Sequence, residues 1–462
     1  MRHGDASGPI ARALRLGLSL LLLASVSGAA VFAQSVAAPL GFSEALTLAR
    51  RGPTVQTAEL ALQSAQAARD ASFATVTGSL QGGYSQSWSD VSGSTAQRGG
   101  LEPFSLTATF NVVPFGPGFE ARLDAERDVA NARMALTDAE RQAIIDTARA
   151  YLGTLRAQQQ LELDRQAVDQ ATAVLTHVQA QRASGDATDA QVQDASLALE
   201  QARTTLATRR LTLQAGLAEL SDLVGAAVAS VDGEPPASHD PDGGTADDAS
   251  TRRSDVQQAQ LALDAARRGY AAGVRAVLPS ARASADLQGG DGRTTWRAGI
   301  AYGTSTFQPT LQASLTPGDA TTGDTSSTLD GTRFALSLSF DVPLDTSLGA
   351  SLEAARLAVT SAERALARTR DQASLALAAA VRTLDTDRLT AELSASQRER
   401  ARAKADEAQR RFDLGLLAWP DLEQARLDAA GADLDALRAG DAVLLDRLEL
   451  ARALGLDPLE VF

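Results

Sequence analysis

The chain of 462 residues contains no cysteine. That excludes disulfides, thiolate metal sites, cysteine nucleophiles and a lipidated N-terminal cysteine. Its three histidines, His3, His177 and His239, are too few and too scattered for a histidine-built zinc centre or a histidine proton relay. Lysine is almost missing as well, with Lys404 standing alone beside 42 arginines. Basic charge is in deficit overall: a formal net charge of −14 offers no basic face to displace counterions from a phosphate backbone, so nucleic acid is not an expected partner. P-loop, G-x-S-x-G and H-E-x-x-H motifs are all absent. The many Asp and Glu residues fall on amphipathic helical faces, where solvation and i,i+4 pairing with arginine account for them. No enzymatic constellation is expected.

Long apolar runs are also missing beyond the N-terminus, and none reaches the roughly 20 residues that a spanning helix requires. If the chain enters a membrane, it does so as strands. Residues 1–33 read as a signal peptide. Arg2, Arg12 and Arg15 make a positive n-region, Leu16 to Leu23 an apolar h-region, and Val31-Phe32-Ala33 a cleavage site before Gln34. Export from the cytoplasm is the expectation.

What is present is self-similarity. Residues 55–62 (VQTAELAL) return as 256–263 (VQQAQLAL) at an offset of 201, and Phe110-Asn111-Val112 returns as Phe340-Asp341-Val342 at an offset of 230. The second offset also carries Gly185 onto Gly415, Ala195 onto Ala425, Leu220 onto Leu450 and Gly225 onto Gly455. The jump between the offsets places an insertion of about 29 residues between 264 and 333. The organisation expected is a first repeat over 34–225, an acidic Pro/Gly linker over 226–253 in an equatorial position, and a second repeat over 254–462 with an enlarged loop at 289–331.

Each repeat reads as short helix, strands, very long helix, turn and helix. Residues 42–75 are helical in pattern, and 119–183 continue without a proline, which at about 1.5 Å per residue extends on the order of 100 Å. Ile145, Ala148, Leu152 and Leu155 repeat at coiled-coil spacing. Ser184-Gly185-Asp186 and Asp413-Leu414-Gly415 end the long helices with a glycine suited to a left-handed cap, and Asp186, Asp189 or Asp421 can begin the next helix. Two hairpin tips are predicted there.

Strands are predicted at 79–88, 103–113, 280–287 and 334–342. Alternation in these segments leaves one face apolar and the other small or polar, which fits a tilted membrane strand and equally a half-buried soluble sheet. The neighbouring helices, Ala-rich and charged, offer nothing to cover such a sheet. About four strands cannot close a barrel alone, and open edges are excluded in lipid, so several protomers would share one. Within 289–331, Trp296, Ala298, Ile300 and Tyr302 alternate, as do Phe307, Pro309, Leu311, Ala313 and Leu315. This is either a hairpin on the extracellular rim or two further membrane strands; the rim hairpin is the expectation carried forward.

The chain resembles the TolC-like outer-membrane efflux protein family. The resemblance is carried by Leu40-Gly41-Phe42-Ser43-Glu44-Ala45-Leu46 with Ala49, Pro114-Phe115-Gly116, Ala150-Tyr151, Arg182 to Gly185, Arg410 to Gly415 with Asp421-Leu422 and Ala425, and Leu454-Gly455, in this order over residues 40–457. It implies a mainly α fold with a β-barrel part: a homotrimer sharing one twelve-stranded outer-membrane β-barrel, four strands per protomer, continued by a long periplasmic α-helical barrel. It further implies a passive exit duct for drugs or substrates of type I secretion, with a periplasmic adaptor and an inner-membrane pump as partners and no cofactor. The competing reading is a periplasmic coiled-coil adaptor or structural protein that does not span the membrane.

Candidate residues follow from that resemblance. Asp413, Asp186 and Asp189 are candidates for a periplasmic aperture, where copies of an inward aspartate would favour cations; helix capping or solvation is the alternative. Gly185, Gly415, Leu416 and Leu417 are candidates for adaptor contact, the leucines as an exposed pair. Tyr84, Trp88, Phe115 and Trp296 are candidates for membrane-interface aromatics.

Overall fold

The computed structural model describes residues 39–72, 76–83, 105–112, 117–241, 251–290, 294–304, 309–317, 331–342 and 347–462. The expected signal peptide lies outside the described residues, as do Tyr84, Trp88 and Phe115.

Helix α1 (Phe42–Ala49) leads into α2 (Pro53–Ser72), strands β1 (Val76–Gly83) and β2 (Ser105–Val112), and then α3 (Pro117–Ser184) and α4 (Asp189–Val224). The second half has α5 (Ser254–Val277), β3 (Ser280–Gly290), β4 (Thr294–Gly303), β5 (Pro309–Pro317), β6 (Gly331–Asp341), α6 (Ser347–Asp413) and α7 (Trp419–Ala453), closed by a 3-10 turn at Pro458–Val461. Where one helix was predicted over 42–75 there are two. Gly52 lies so close to Leu223 that a Cβ there would stand 2.4 Å from its carbonyl oxygen, and Pro53, which cannot continue a helix, opens the next one.

The 68 residues of α3 span about 100 Å. Its first part packs on α2 and its later part on α4, while α6 packs in the same way on α5 and then α7. Contacts between α3 and α7 join the two halves. Ile145, Ala148, Leu152 and Leu155 are all buried, as their spacing predicts, and pack with Phe42, Leu46, Tyr151, Leu220, Leu448 and Val461 in the main core. The Phe42 ring meets Tyr151 edge-on at 5.2 Å and Phe462 at 5.5 Å, so both ends of the described chain converge there.

Residues 226–241 are strapped across this core. Leu40 and Val231 form a parallel bridge, with Leu40 N donating to Ser230 O at 3.0 Å and Asp232 N to Leu40 O at 3.0 Å. The Tyr151 hydroxyl donates to Asp232 O at 2.6 Å. Burial, with the charges of Asp232 and Glu234, pushes the phenol up to about 12. Residues 242–250 lie outside the described residues.

The strands make one antiparallel sheet in the order β1-β2-β5-β4-β3-β6. This corrects two expectations. Among the described residues six strands replace four, and the segment expected as a rim hairpin is inside the sheet. Strand β4 pairs with β3 from Arg282–Gly303 to Gly290–Thr295, and β5 pairs with β2 from Leu106–Leu315 to Asn111–Thr310. β4 ends at the helical end of the sheet, where Thr304 N donates to Ala281 O and Ala281 N to Thr304 Oγ1, both at 2.8 Å. The physical reason is pairing: an isolated hairpin is marginal in water, whereas between β2 and β3 both of its edges complete ladders.

Candidate functional site

The register sorts the side chains onto two faces. One face carries rows such as Phe110, Leu311, Ile300, Ala285 and Leu336, then Leu80, Ala108, Ala313, Ala298, Leu287 and Phe334. The opposite face carries Ser79, Thr109, Gln312 and Asp286 in one row and Gln81, Thr107, Ser314, Arg297, Gln288 and Arg333 in the next. A soluble sheet would have its apolar face covered by another layer. Here no helix packs on the sheet among the described residues. Leu336 is 74% exposed, Phe340 73% and Leu80 69%. Shallow apolar grooves interrupt the face, one of them lined by Phe110, Leu287, Ile300, Leu311 and Phe334. An uncovered apolar face of this extent marks contact with lipid or another protein.

Aromatic rings fill the gaps left by glycine on the same face. Phe110 lies over Gly78 and Trp296 over Gly289, where a Cβ would come within 2.9 Å of each ring. Trp296 stands near the sheet end away from the helices; Tyr302, six residues along β4, lies near the helical end. Two aromatic levels so spaced fit the two rims of a lipid-facing band. Among the described residues no helix is long and apolar enough to cross a membrane.

At the other extremity, each hairpin closes through a left-handed glycine. Gly185 has φ 89°, with Asp186 N donating to Gln181 O at 2.8 Å, and Gly415 has φ 70°, with Leu416 N donating to Arg411 O at 2.8 Å. The helix after the first tip is begun by Thr188, not by Asp186 or Asp189: Thr188 and Gln191 form a reciprocal capping box. Asp186 Oδ2 accepts from Ser184 Oγ at 2.7 Å, and Asp189 Oδ1 from Arg182 Nε at 2.5 Å. That hydrogen bond and charge hold the Asp189 carboxyl below its ordinary range.

The second tip is built differently. Its cap position is Ala418, which has no side-chain acceptor, followed by Trp419 and Pro420. Asp413 Oδ1 accepts from Gln409 Nε2 at 2.7 Å, and Gln409 Oε1 accepts from Arg426 Nη2 at 2.6 Å. Asp413 is exposed. Gln170 of α3 donates to Pro420 O at 3.2 Å and ties this tip to the first hairpin. The exposed leucines of the tip are Leu414 and Leu416, each 73% exposed, whereas Leu417 is half-buried; the pair expected at 416 and 417 is shifted because the left-handed Gly415 turns the chain between them. Among the described residues no group of three His, Asp or Glu could hold a metal ion.

Comparison with known proteins bears on this arrangement. The family model described as outer membrane efflux protein matches residues 46–226. Over those residues the chain is similar to the outer membrane efflux proteins. No curated protein matches it by sequence. Among solved structures, the fold is similar to a membrane protein of Pseudomonas aeruginosa, with 18% identity, TM-score 0.66, and 89% of this chain and 93% of that one covered. VceC, an outer membrane protein of Vibrio cholerae, gives 19% identity, TM-score 0.63 and coverage of 90% and 96%. The CmeC outer membrane channel of Campylobacter jejuni gives 14%, TM-score 0.67, and 90% and 85%. At 14–19% identity these likenesses are ones of fold.

Sequence reasoning missed the buried group that joins the two halves of the chain. Arg156 on α3, Asp441 on α7 and Glu234 in the strap lie far apart in the chain, and no local motif announces them. Burial works against the Arg156 charge, yet hydrogen bonds to Asp441 and Glu234 outweigh it and leave the guanidinium more basic than usual.

Proposed function

We propose that this protein is a passive outer-membrane exit duct, formed as a homotrimer from two copies of one ancestral unit per chain. The sheet would lie in the outer membrane with its apolar face to lipid, and the helices would continue the lumen through the periplasm. Drugs or secreted polypeptides would leave through it, delivered by an inner-membrane pump through a periplasmic adaptor that docks at the tips.

One observation supports this reading most: among the described residues nothing covers the apolar face that spans all six strands. Water is an unfavourable neighbour for it at about 25 cal/mol per Å². Among the described residues two edges, β1 and β6, also stay unpaired within one copy. In lipid every backbone donor and acceptor requires a partner, so neighbouring copies would supply the missing ladders. Gly185, Gly415, Leu416 and Leu417, with Leu414 now added, form the adaptor-contact surface in this reading. Asp413 would line the aperture, with Asp186 and Asp189 serving mainly the turn and helix start of their own tip.

The test is membrane fractionation of expressing cells, sizing of the detergent-extracted protein with and without boiling, and conductance in a planar bilayer. The duct reading expects an outer-membrane trimer that conducts ions with cation preference. A soluble, non-conducting monomer would contradict it and favour the periplasmic adaptor.

A further inference from the structure

The β4–β5 hairpin changes the architecture of the membrane wall. We propose that the wall has eighteen strands, closed at three seams where β1 of one copy pairs antiparallel with β6 of the next, and that the inserted hairpin widens the exit to the bore of the helical duct. The inference rests on the three-copy duct above and deepens it.

Three observations carry it. First, the hairpin is part of the wall rather than an ornament on it. Strands β4 and β5 separate β2 from β3, pair along the heights of both, and keep the same apolar parity, with Trp296, Ala298, Ile300 and Tyr302 on one strand and Leu311, Ala313 and Leu315 on the other. With them in place β2 and β3 make no ladder with each other, and each pairs instead with a strand of the hairpin.

Second, the two free edges are fit to join. All five pairings are antiparallel, so with six strands β1 and β6 run in opposite directions, and a seam between copies continues the alternation. Neither strand contains proline or lysine, the devices that usually blunt an edge. Arg333 and Asp341 of β6 point to the polar face, and its apolar face offers Phe334, Leu336, Leu338 and Phe340, beside Leu80 of β1 at the other edge.

Third, the perimeters agree. A strand tilted by about 40° at about 4.8 Å spacing covers about 6 Å of wall, so eighteen strands make about 110 Å and twelve about 75 Å. Each copy brings four helices to the sheet, α2, α3, α5 and α6. Twelve helices from three copies, at 8–10 Å between axes, make about 100–120 Å. Six strands per copy therefore continue the helical wall without narrowing, at a backbone diameter of about 36 Å against about 24 Å for four. Side chains such as Thr109, Gln312, Ser314 and Arg297 cannot fill such a lumen, so closure falls to the periplasmic tips and the exit admits cargo as wide as the duct itself.

Disulfide trapping in the full-length, membrane-assembled protein tests this without background, since the native chain has no cysteine. Three combinations are compared after oxidation in isolated outer membranes. Thr109→Cys with Gln312→Cys joins direct partners of β2 and β5. Thr109→Cys with Asp286→Cys spans two intervening strands, about 14 Å, beyond the roughly 7 Å that a disulfide bridges. Ser79→Cys on β1 is then combined in turn with cysteine at Ala335, Ser337 or Ser339 on β6 to find the seam register. The expected result is an intrachain link in the first pair, none in the second, and covalent dimers and trimers from at least one seam pair. A trimer in which the second pair links and the first does not has a twelve-stranded wall and overturns the proposal while the duct stands. Expected intrachain links in a trimer with no seam link at any position overturn the seam. A soluble monomer overturns the duct, and the seam with it.

Discussion

Arg156 grips Asp441 with two parallel hydrogen bonds, Nε to Oδ2 at 2.6 Å and Nη2 to Oδ1 at 2.8 Å, inside the core where α3 meets α7. The same guanidinium reaches Glu234 of the strap through Nη1 and Nη2, each at 2.7 Å. One cation thus ties both helical hairpins to the segment that links them. Arg156 is 4% exposed and Asp441 8%, so neither group has water to fall back on.

Replacing Asp441 by alanine leaves the arginine buried with Glu234 as its remaining anion. A loss of about 3 kcal/mol is expected. The double variant Arg156→Met with Asp441→Leu removes the unpaired charge and should recover most of it. Denaturant unfolding of the detergent-extracted protein reads both; equal losses in the single and double variants would show that the ion pair is not what matters there.

Asp446 of α7 stands against Asp387 of α6, and its Oδ2 is buried without a hydrogen-bond partner. Burial first, then the charge of Asp387 and a hydrogen bond with it, and last the charge of Glu449, push its carboxyl up to about 6. The folded state therefore binds this proton more tightly than the unfolded chain. Its contribution is fully present below about pH 4 and is lost as pH rises through about 6. Asp446→Asn should stabilise the second hairpin at neutral pH by about 1 kcal/mol, after allowance for solvent screening, and flatten stability between pH 4 and 6. A pH series of melting temperatures for parent and variant checks both.

The tips differ in how their second helices begin. Thr188→Ala removes a capping box and should cost about 1 kcal/mol locally, whereas Ala418→Ser adds an acceptor for the Asp421 amide and should gain a similar amount. Hydrogen exchange at Gln191 and Asp421 follows each change. Faster exchange at Gln191 and slower exchange at Asp421 are the expected outcomes.

In the proposed duct Asp413 would line the ion path. Three copies of Asp413→Asn at a narrow aperture should lower cation over anion permeability severalfold, read as a shift of reversal potential towards zero in a salt gradient. An unchanged reversal potential would place Asp413 away from the ion path.

Much of this molecule was legible in its sequence because its long elements have unambiguous periods. The absence of proline after Pro117 and the spacing of Ile145, Ala148, Leu152 and Leu155 foretold a long helix and its buried seam. Alternation foretold strands but not their neighbours. Trp296 to Tyr302 would alternate in the same way in a rim hairpin, and only pairings such as Leu106 with Leu315 distinguish the two. The capping box Thr188-Asp189-Ala190-Gln191 was readable as a motif, whereas the candidate aspartates beside it drew attention by charge alone. Arg156 and Asp441, 285 positions apart, left no local trace.

The central claim is that the apolar face of the sheet lies against lipid, and two adjacent residues of β6 test it most directly. Leu336 is on the apolar face and Ser337 on the polar one. Arginine on the lipid side near the bilayer middle costs about 2–4 kcal/mol, and on the lumen side little. In fractionated cells, Ser337→Arg should reach the outer membrane as a trimer at parental yield, and Leu336→Arg should fail to assemble there. If both variants accumulate equally as folded soluble protein in the periplasm, the sheet does not face lipid and the duct reading is contradicted.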